Sequence, residues 1–254
     1  MLEENKIHLG DCLDLMPSIP SKSVDMILCD LPYGTTACEW DSIIDMDRLW
    51  QEYERVIKDN GAIVLTANAV FTFTLYNSNP KLYGYRIIWD KKIKVGHLLA
   101  NYQPMRQYED ILIFYKKRPL YNPQKMKGNP YLMKRRDKIE YVEYNKTVTK
   151  RIDTINDGDR YPSDIIQIDS NVFSRDKGMH PTQKPVALFE YLIKTYTNEG
   201  ELVLDNCSGS GTTAIACMNT NRRFICIERD ETYHKKSIER MNNHEPLFHL
   251  GGKC

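Results

Sequence analysis

An aspartate, a proline and a tyrosine stand together in the stretch LCDLPYGTT, residues 28–36, just where an apolar run ends. That run, residues 24–29, is rich in Val, Ile, Met and Leu and is interrupted only by Asp25, which fits a short buried strand with a polar entry. Asp30 then falls at the strand's carboxyl end, the edge at which open α/β sheets bind ligands. A carboxylate, a rigid turn and an aromatic face at that edge make Asp30, Leu31, Pro32 and Tyr33 a candidate site. The competing account is a plain turn, since Asp, Pro and Gly favour turns for local reasons.

A second constellation lies far along the chain. LVLDNCSGSGTTA, residues 202–214, reads as strand, tight glycine turn and helix, and Gly209, Gly211 and Ala214 satisfy the G-x-G-x-x-G/A fingerprint of nucleotide sites. Glycine suits such a turn because the backbone must come close to the ligand. Glu228 ends the next strand, where a carboxylate can accept hydrogen bonds from ribose hydroxyls. The fingerprint alone does not separate NAD from another adenosine-containing cofactor.

The elements that must position these residues alternate between strand and helix. Strands are expected near residues 7–11 and at 24–29, 62–67, 85–89, 111–115, 202–205 and 224–228. Helices are expected at residues 46–58, closed by Asp-Asn-Gly, and at 70–76, 187–196, 212–219 and 231–241. Such alternation implies a mostly parallel, doubly wound α/β sheet. Only one strand and two helices remain once the glycine turn begins, so N-terminal strands must complete the sheet. The order is therefore circularly permuted, with the catalytic candidate early and the cofactor loop late.

Between residues 117 and 164 the periodicity lapses into Pro, Asn, Tyr and basic residues, including MKRRDK at 133–138. This stretch reads as an inserted module, with Tyr121, Tyr131, Tyr141, Tyr144 and Tyr161 as anchors, set into a domain formed by residues 1–116 and 165–254. Residues 86–151 carry seventeen Lys and Arg against six Asp and Glu, a net of +11, while the rest of the chain is −10 and the whole is +1. A basic module on an acidic body points to a polyanionic partner. The bland account of the charges is a solvated face.

The 254 residues suffice for one sizeable α/β core with an insertion, and 41% hydrophobic with 27% charged residues fits a globular, water-soluble chain. The first twenty residues have neither a basic start nor an apolar run, so no signal peptide or membrane span is expected. The seven cysteines are scattered and never in C-x-x-C spacing. Reduced thiols in the cytoplasm and no metal site are the expectation.

Taken in order, HLGDCLDLM, LCDLPYG, the basic insertion, HPTQKP, LDNCSGSGTT and ICIERD resemble the amino-group DNA methyltransferases, in the permuted class with the catalytic motif ahead of the recognition insertion and the cofactor motif last. The resemblance spans the chain outside roughly residues 117–165. It implies a Rossmann-like methyltransferase sheet, S-adenosylmethionine as cofactor, double-stranded DNA as partner, and methyl transfer to the N6 amine of adenine. Cytosine N4 is the alternative, and aspartate as the first motif residue favours adenine. A non-catalytic adenosine-cofactor and nucleic-acid-binding module and an NAD-dependent oxidoreductase are the rivals of other classes. A homodimer and a cognate restriction enzyme stay open.

Position by position, the resemblance makes residues 30–33 the D-P-P-Y catalytic motif and residues 205–211 the cofactor loop, so that Asp205, Cys207, Gly209, Gly211 and Thr212 join Glu228 and Asp30 around the cofactor. Gly10, Asp11 and Cys12 are similar to the segment beside its adenine. Thr182, Gln183 and Lys184, within HPTQKP, are similar to the loop at its methionine end. Leu31 and Asn206 replace prolines and Cys207 replaces a phenylalanine, the last removing aromatic contact area. The Asp30 carboxylate and Leu31 carbonyl would accept the two N–H bonds of an exocyclic amine on a flipped base, with Tyr33 as a stacking face. Lys116, Lys117, Arg118, Lys125, Lys127, Lys134, Arg135 and Arg136 would contact DNA.

Overall fold

The computed structural model describes residues 1–33, 44–134, 138–142, 145–149, 153–170 and 183–244. The chain divides into one unit of Met1–Asn122 with Asp164–Cys254 and a second of Pro123–Ser163.

The first unit opens with β1 (Lys6–Leu9), the short α1 (Cys12–Leu15), β2 (Val24–Cys29), α2 (Met46–Val56), β3 (Ile57–Ala67), α3 (Ala69–Ser78), β4 (Tyr83–Val95) and β5 (Arg106–Phe114). In the second unit β6 (Met126–Lys127) pairs with β11 (Asp159–Arg160), β7 (Tyr131–Met133) with β10 (Thr154–Asn156), and β8 (Lys138–Val142) with β9 (Asn145–Thr149), all antiparallel. These are three separate two-stranded sheets, nested in chain order. The first unit resumes with β12 (Ile165–Gln167), α4 (Val186–Tyr196), β13 (Leu202–Asp205), α5 (Thr212–Asn219), β14 (Arg223–Glu228) and α6 (Glu231–Asn242).

Its eight strands form one sheet in the order β1-β14-β13-β2-β3-β5-β4-β12. Only β5 runs against the others. Strands β2, β13 and β14 lie inside this sheet with layers on both faces, and so they are continuously apolar rather than alternating. From β2 the chain crosses through α2 to β3, while from β13 it crosses through α5 to β14 on the other side. The two helices cover opposite faces: Leu49, Trp50, Tyr53 and Val56 of α2 fill one core, and Ala214, Ala216 and Cys217 of α5 fill the other. The strand order therefore reverses between β2 and β13, and a crevice opens at their carboxyl ends.

Local chemistry sets the limits of these elements. Asp45 caps α2 by accepting the Asp47 and Arg48 N–H groups at 3.1 and 3.2 Å, worth about 1 kcal/mol for a cap of this kind. The Asp-Asn-Gly stretch does not close that helix, as periodicity suggests. The helix ends at Val56, and residues 58–61 form a bulge in β3 between the pairs Val24↔Ile57 and Met26↔Ala62. A Cβ on Gly61 would lie 2.7 Å from the Asp25 carbonyl oxygen, so glycine allows the bulge to lie against β2. The Asp25 side chain accepts Lys58 Nζ at 2.6 Å and the Leu202 N–H at 3.0 Å, which ties β2 to both its neighbours and explains a carboxylate within an apolar strand.

The hairpin β4–β5 is much longer than the two short strands expected at residues 85–89 and 111–115. The insertion is also more regular than its composition implies, since nested ladders run through it. Two of its expected tyrosine anchors carry cations: Arg160 lies 4.8 Å from the Tyr131 ring centroid and Lys125 lies 5.1 Å from that of Tyr161. Tyr121 belongs to the first unit, where its ring meets Tyr196. The side chain of Tyr141 and all of Tyr144 lie outside the described residues.

Candidate functional site

A cleft of about 460 Å³ opens at the carboxyl ends of β1, β14, β13 and β2. Each strand delivers expected residues to it, because each ends at this edge: Asp11 and Cys12 after β1, Glu228 ending β14, Asp205 ending β13, and Asp30 just after β2. Leu31, Pro32, Tyr33, Gln183, Lys184, Cys207, Gly209 and Thr212 also line it. Thr182 lies outside the described residues, as do Arg135 and Arg136.

Asp30 is held at every side-chain oxygen. Its Oδ1 accepts from the Tyr33 hydroxyl at 2.7 Å and from the Thr66 hydroxyl, while its Oδ2 accepts from Lys184 Nζ at 2.7 Å. Tyr33 stacks on Phe71 with 4.7 Å between ring centroids, so one face of its ring is covered and its hydroxyl orients the carboxylate. Burial, and then the negative charge of Asp30, push the Tyr33 phenol well above its usual pKa, keeping it a neutral donor. Lys184 also stands 3.3 Å from Glu109 Oε2, and Lys91 stands 3.0 Å from Glu109 Oε1. Two ammonium groups and two carboxylates thus alternate along one wall.

The glycine turn is built by two buried acids. Asp205 accepts the Cys207 N–H at 3.1 Å and the Thr213 hydroxyl, and burial pushes its pKa up to about 7. Glu228 Oε2 accepts the Gly209 N–H and Oε1 the Asp230 N–H, each at 2.7 Å. Burial raises the Glu228 pKa against these bonds. Gly209 and Gly211 both have left-handed backbones, with φ of 51° and 76°. Gly209 lines the cleft, whereas Gly211, also expected at the cofactor, does not. A Cβ there would meet Ser237 Cβ at 3.1 Å and Ile7 Cδ1 at 3.2 Å, so its bareness serves the packing of α5 against α6 and β1.

Two unusual residues of this turn have local partners. The Asn206 amide oxygen accepts the buried Tyr53 hydroxyl at 2.5 Å, satisfying a polar group brought in by α2. Cys207 packs beside the core that holds Cys12 and Cys29, and hydrogen bonding to those two thiols, with burial, pushes its own thiol well up. Gln183 presents a buried amide whose oxygen and nitrogen both lack a hydrogen-bond partner among the described residues.

Of the basic residues expected on DNA, Lys116, Lys117 and Arg118 belong to the first unit and do not line this cleft. Lys116 donates to the Glu54 carbonyl and Lys117 pairs with Asp59 at 2.8 Å, within the first unit. Lys125 and Lys127 share Asp159 in the second unit. Arg118 and Lys134 are exposed. Among the described residues no His, Cys, Asp and Glu cluster of metal-binding geometry occurs, and no helix is long and apolar enough to cross a membrane.

Thr66, Lys91 and Glu109 escape sequence reasoning, since β3, β4 and β5 reach Asp30 only through the sheet. One signal was present: Trp89, Lys91, Ile93 and Val95 alternate along β4, and all four line the cleft.

A family model described as DNA methylase matches residues 24–239. The type II methyltransferase M2.MboI of Moraxella bovis is 26% identical, over 95% of this chain and 89% of its own. The DNA adenine methyltransferase YhdJ of Escherichia coli strain K12 is 27% identical, over 94% and 83%. Among solved structures, the M1.HpyAVI–SAM complex has a TM-score of 0.63 at 23% identity, over 93% of this chain and 98% of that one. The cytosine-N4-specific PvuII DNA methyltransferase has a TM-score of 0.67 at 17% identity, over 94% and 88%.

Proposed function

Because the chain belongs to the DNA methylase family, we propose that it methylates the N6 amine of adenine in double-stranded DNA, with S-adenosylmethionine as methyl donor. The single observation that carries this reading is the convergence of Asp30 with the glycine turn and Glu228 on one cleft. The donor supplies an electrophilic methyl group when bound. The cleft suits it: Glu228 at the end of β14 would hold the ribose, Asp11 and Cys12 would flank the adenine, and the Gln183 amide, without a partner among the described residues, would offer both a donor and an acceptor.

An exocyclic amine is a poor nucleophile because its lone pair is delocalised into the ring. Asp30 and the Leu31 carbonyl accept its N–H bonds, orient the nitrogen, and stabilise the positive charge that develops on it. Tyr33 and Thr66 fix the carboxylate for this task, so little reorganisation remains at the moment of reaction. The amine is out of reach inside a duplex, so the base is flipped into the cleft. No thiol is needed as a nucleophile, and the cysteines are assigned to packing. The second unit, with Lys125, Lys127, Lys134, Arg135 and Arg136, is assigned to target recognition, and Lys116, Lys117 and Arg118 to the flanking backbone. We place the protein in the cytoplasm, where DNA is available and its thiols stay reduced. A homodimer and a cognate restriction enzyme are compatible with relatives named type II methyltransferases.

The test is product identity. Incubation with labelled S-adenosylmethionine and unmethylated DNA, followed by digestion to nucleosides and mass analysis, should yield N6-methyladenine. N4-methylcytosine would move the assignment to the other amine, and no transfer to any DNA would overturn it.

A further inference from the structure

Asp30 faces a conflict that the proposed reaction does not resolve. Its Oδ1 is taken by Tyr33 and Thr66, and its Oδ2 by the Lys184 ammonium. An incoming amine therefore finds both oxygens already engaged, with only one acceptor site left, on Oδ2 beside the ammonium, and that cation stands where the amine's own positive charge would develop. Lys184 is almost fully buried, at 7% side-chain exposure, so it cannot swing into water without crossing the cleft. An unpaired ammonium in such a place is strongly unfavourable.

The neighbouring carboxylate offers the way out. Glu109 Oε2 is buried, accepts no hydrogen bond among the described residues, and lies 3.3 Å from Lys184 Nζ. Its other oxygen is anchored by Lys91. Moving the ammonium from Asp30 to Glu109 requires only a small displacement of the side-chain end. The main chain stays put, because Pro185 opens α4 and the Lys184 carbonyl accepts from the Thr212 hydroxyl at 3.4 Å.

Resting on the methyl-transfer reading above, we propose that Lys184 and Glu109 form a positioning pair: Lys184 holds Asp30 until the target amine arrives and then passes to Glu109. The exchange keeps the wall neutral before and after, and the base gains both Asp30 Oδ2 and relief from a nearby like charge. Burial by itself would depress the ammonium, but the charge of Asp30, foremost among its neighbours, holds its pKa well above the ordinary value. Lys184 therefore moves as a cation and needs a carboxylate to receive it. Neither residue gives up a proton or touches the methyl group.

The experiment is a double-mutant cycle in single-turnover methyl transfer, with S-adenosylmethionine and DNA affinities measured on the same preparations. Glu109→Gln removes the receiving charge and should slow transfer at least thirtyfold, with both affinities within about threefold of wild type. Adding Lys184→Met removes the cation that would block Asp30, and should recover at least tenfold of that loss. A structural role for the pair predicts the opposite, a double variant as slow as or slower than the single one. That result, or a Glu109→Gln enzyme at wild-type rate, overturns the exchange. Should Glu109→Gln fail to fold, Lys184→Arg replaces it: the guanidinium fork can hold both carboxylates at once, so transfer should fall at least tenfold, and an unchanged rate overturns the proposal. A wild-type protein inactive on all DNA would instead sink the methyl-transfer reading.

Discussion

At the scale of single residues, Asp30 and Asp205 are both carboxylates at strand ends, and their surroundings assign them opposite tasks. Asp30 is held by donors at the open cleft, so Asp30→Ala should lower single-turnover transfer by roughly 10²–10³ with cofactor and DNA affinity largely kept. Retention of more than about a tenth of the rate would reduce Asp30 to a turn former. Asp205 is sealed in, and its pKa of about 7 lies above the unfolded value near 3.9. A raised carboxyl pKa means that the folded state prefers the protonated acid. Its contribution is full below pH 4 and lost as pH rises to 7, on the order of 4 kcal/mol across that window. Denaturant titrations of wild type and Asp205→Asn should show the wild type losing stability relative to the variant between pH 4 and 7. Parallel curves would mean that Asp205 stays ionised throughout.

At the scale of elements, Gly211 illustrates how a motif can be legible while its reason is not. The fingerprint locates the turn, yet the atoms that exclude a side chain belong to Ser237 and Ile7, contributed by α6 and β1. Gly211→Val should therefore act first on stability: strain at φ 76° and overpacking together cost a few kcal/mol, read as a melting temperature lowered by several degrees even without cofactor. An unchanged melting temperature would return the glycine to a ligand role. Elements buried on both faces could be read directly from sequence, and β2, β13 and α5 fall on the expected residues because continuous apolar runs end at strong turn residues. The hairpin β4–β5 could not, because Asp90, Lys91, Lys92 and Lys94 interrupt the apolar signal along a strand that continues to Val95. The bulge at residues 58–61 was hidden for another reason: Asp-Asn-Gly describes a change of backbone direction and does not say whether the strand resumes. Asp30, Glu228 and the glycine turn were likewise visible as residue types at strand ends. Thr66 and Glu109 acquire meaning only when β3 and β5 are laid beside β2.

At the scale of the whole molecule, the proposed assignment of DNA to the basic stretch makes its binding separable from that of the cofactor. Replacing Lys134, Arg135 and Arg136 together with Ala should weaken DNA binding and flatten its salt dependence, each lost phosphate contact lowering the log–log slope by about 0.9. Cofactor affinity, measured by calorimetry, should stay at the wild-type value. An unaltered slope would make these three charges a solvated face. The distance along the chain between β1 and β14 has a further consequence, which concerns synthesis rather than the finished fold. Among the described residues strand β1 pairs with β14 alone, and the Asn5 N–H donates to the Phe224 carbonyl at 2.6 Å across a separation of 219 residues. At roughly 5–20 residues per second, a ribosome needs roughly ten to forty seconds to produce that partner. Until then β1 has no ladder to join, and the Gly10 N–H at the floor of the cleft lacks the Glu228 carbonyl that accepts it. The nascent chain therefore completes this cleft last, after the strands between β5 and β12 have already left the ribosome.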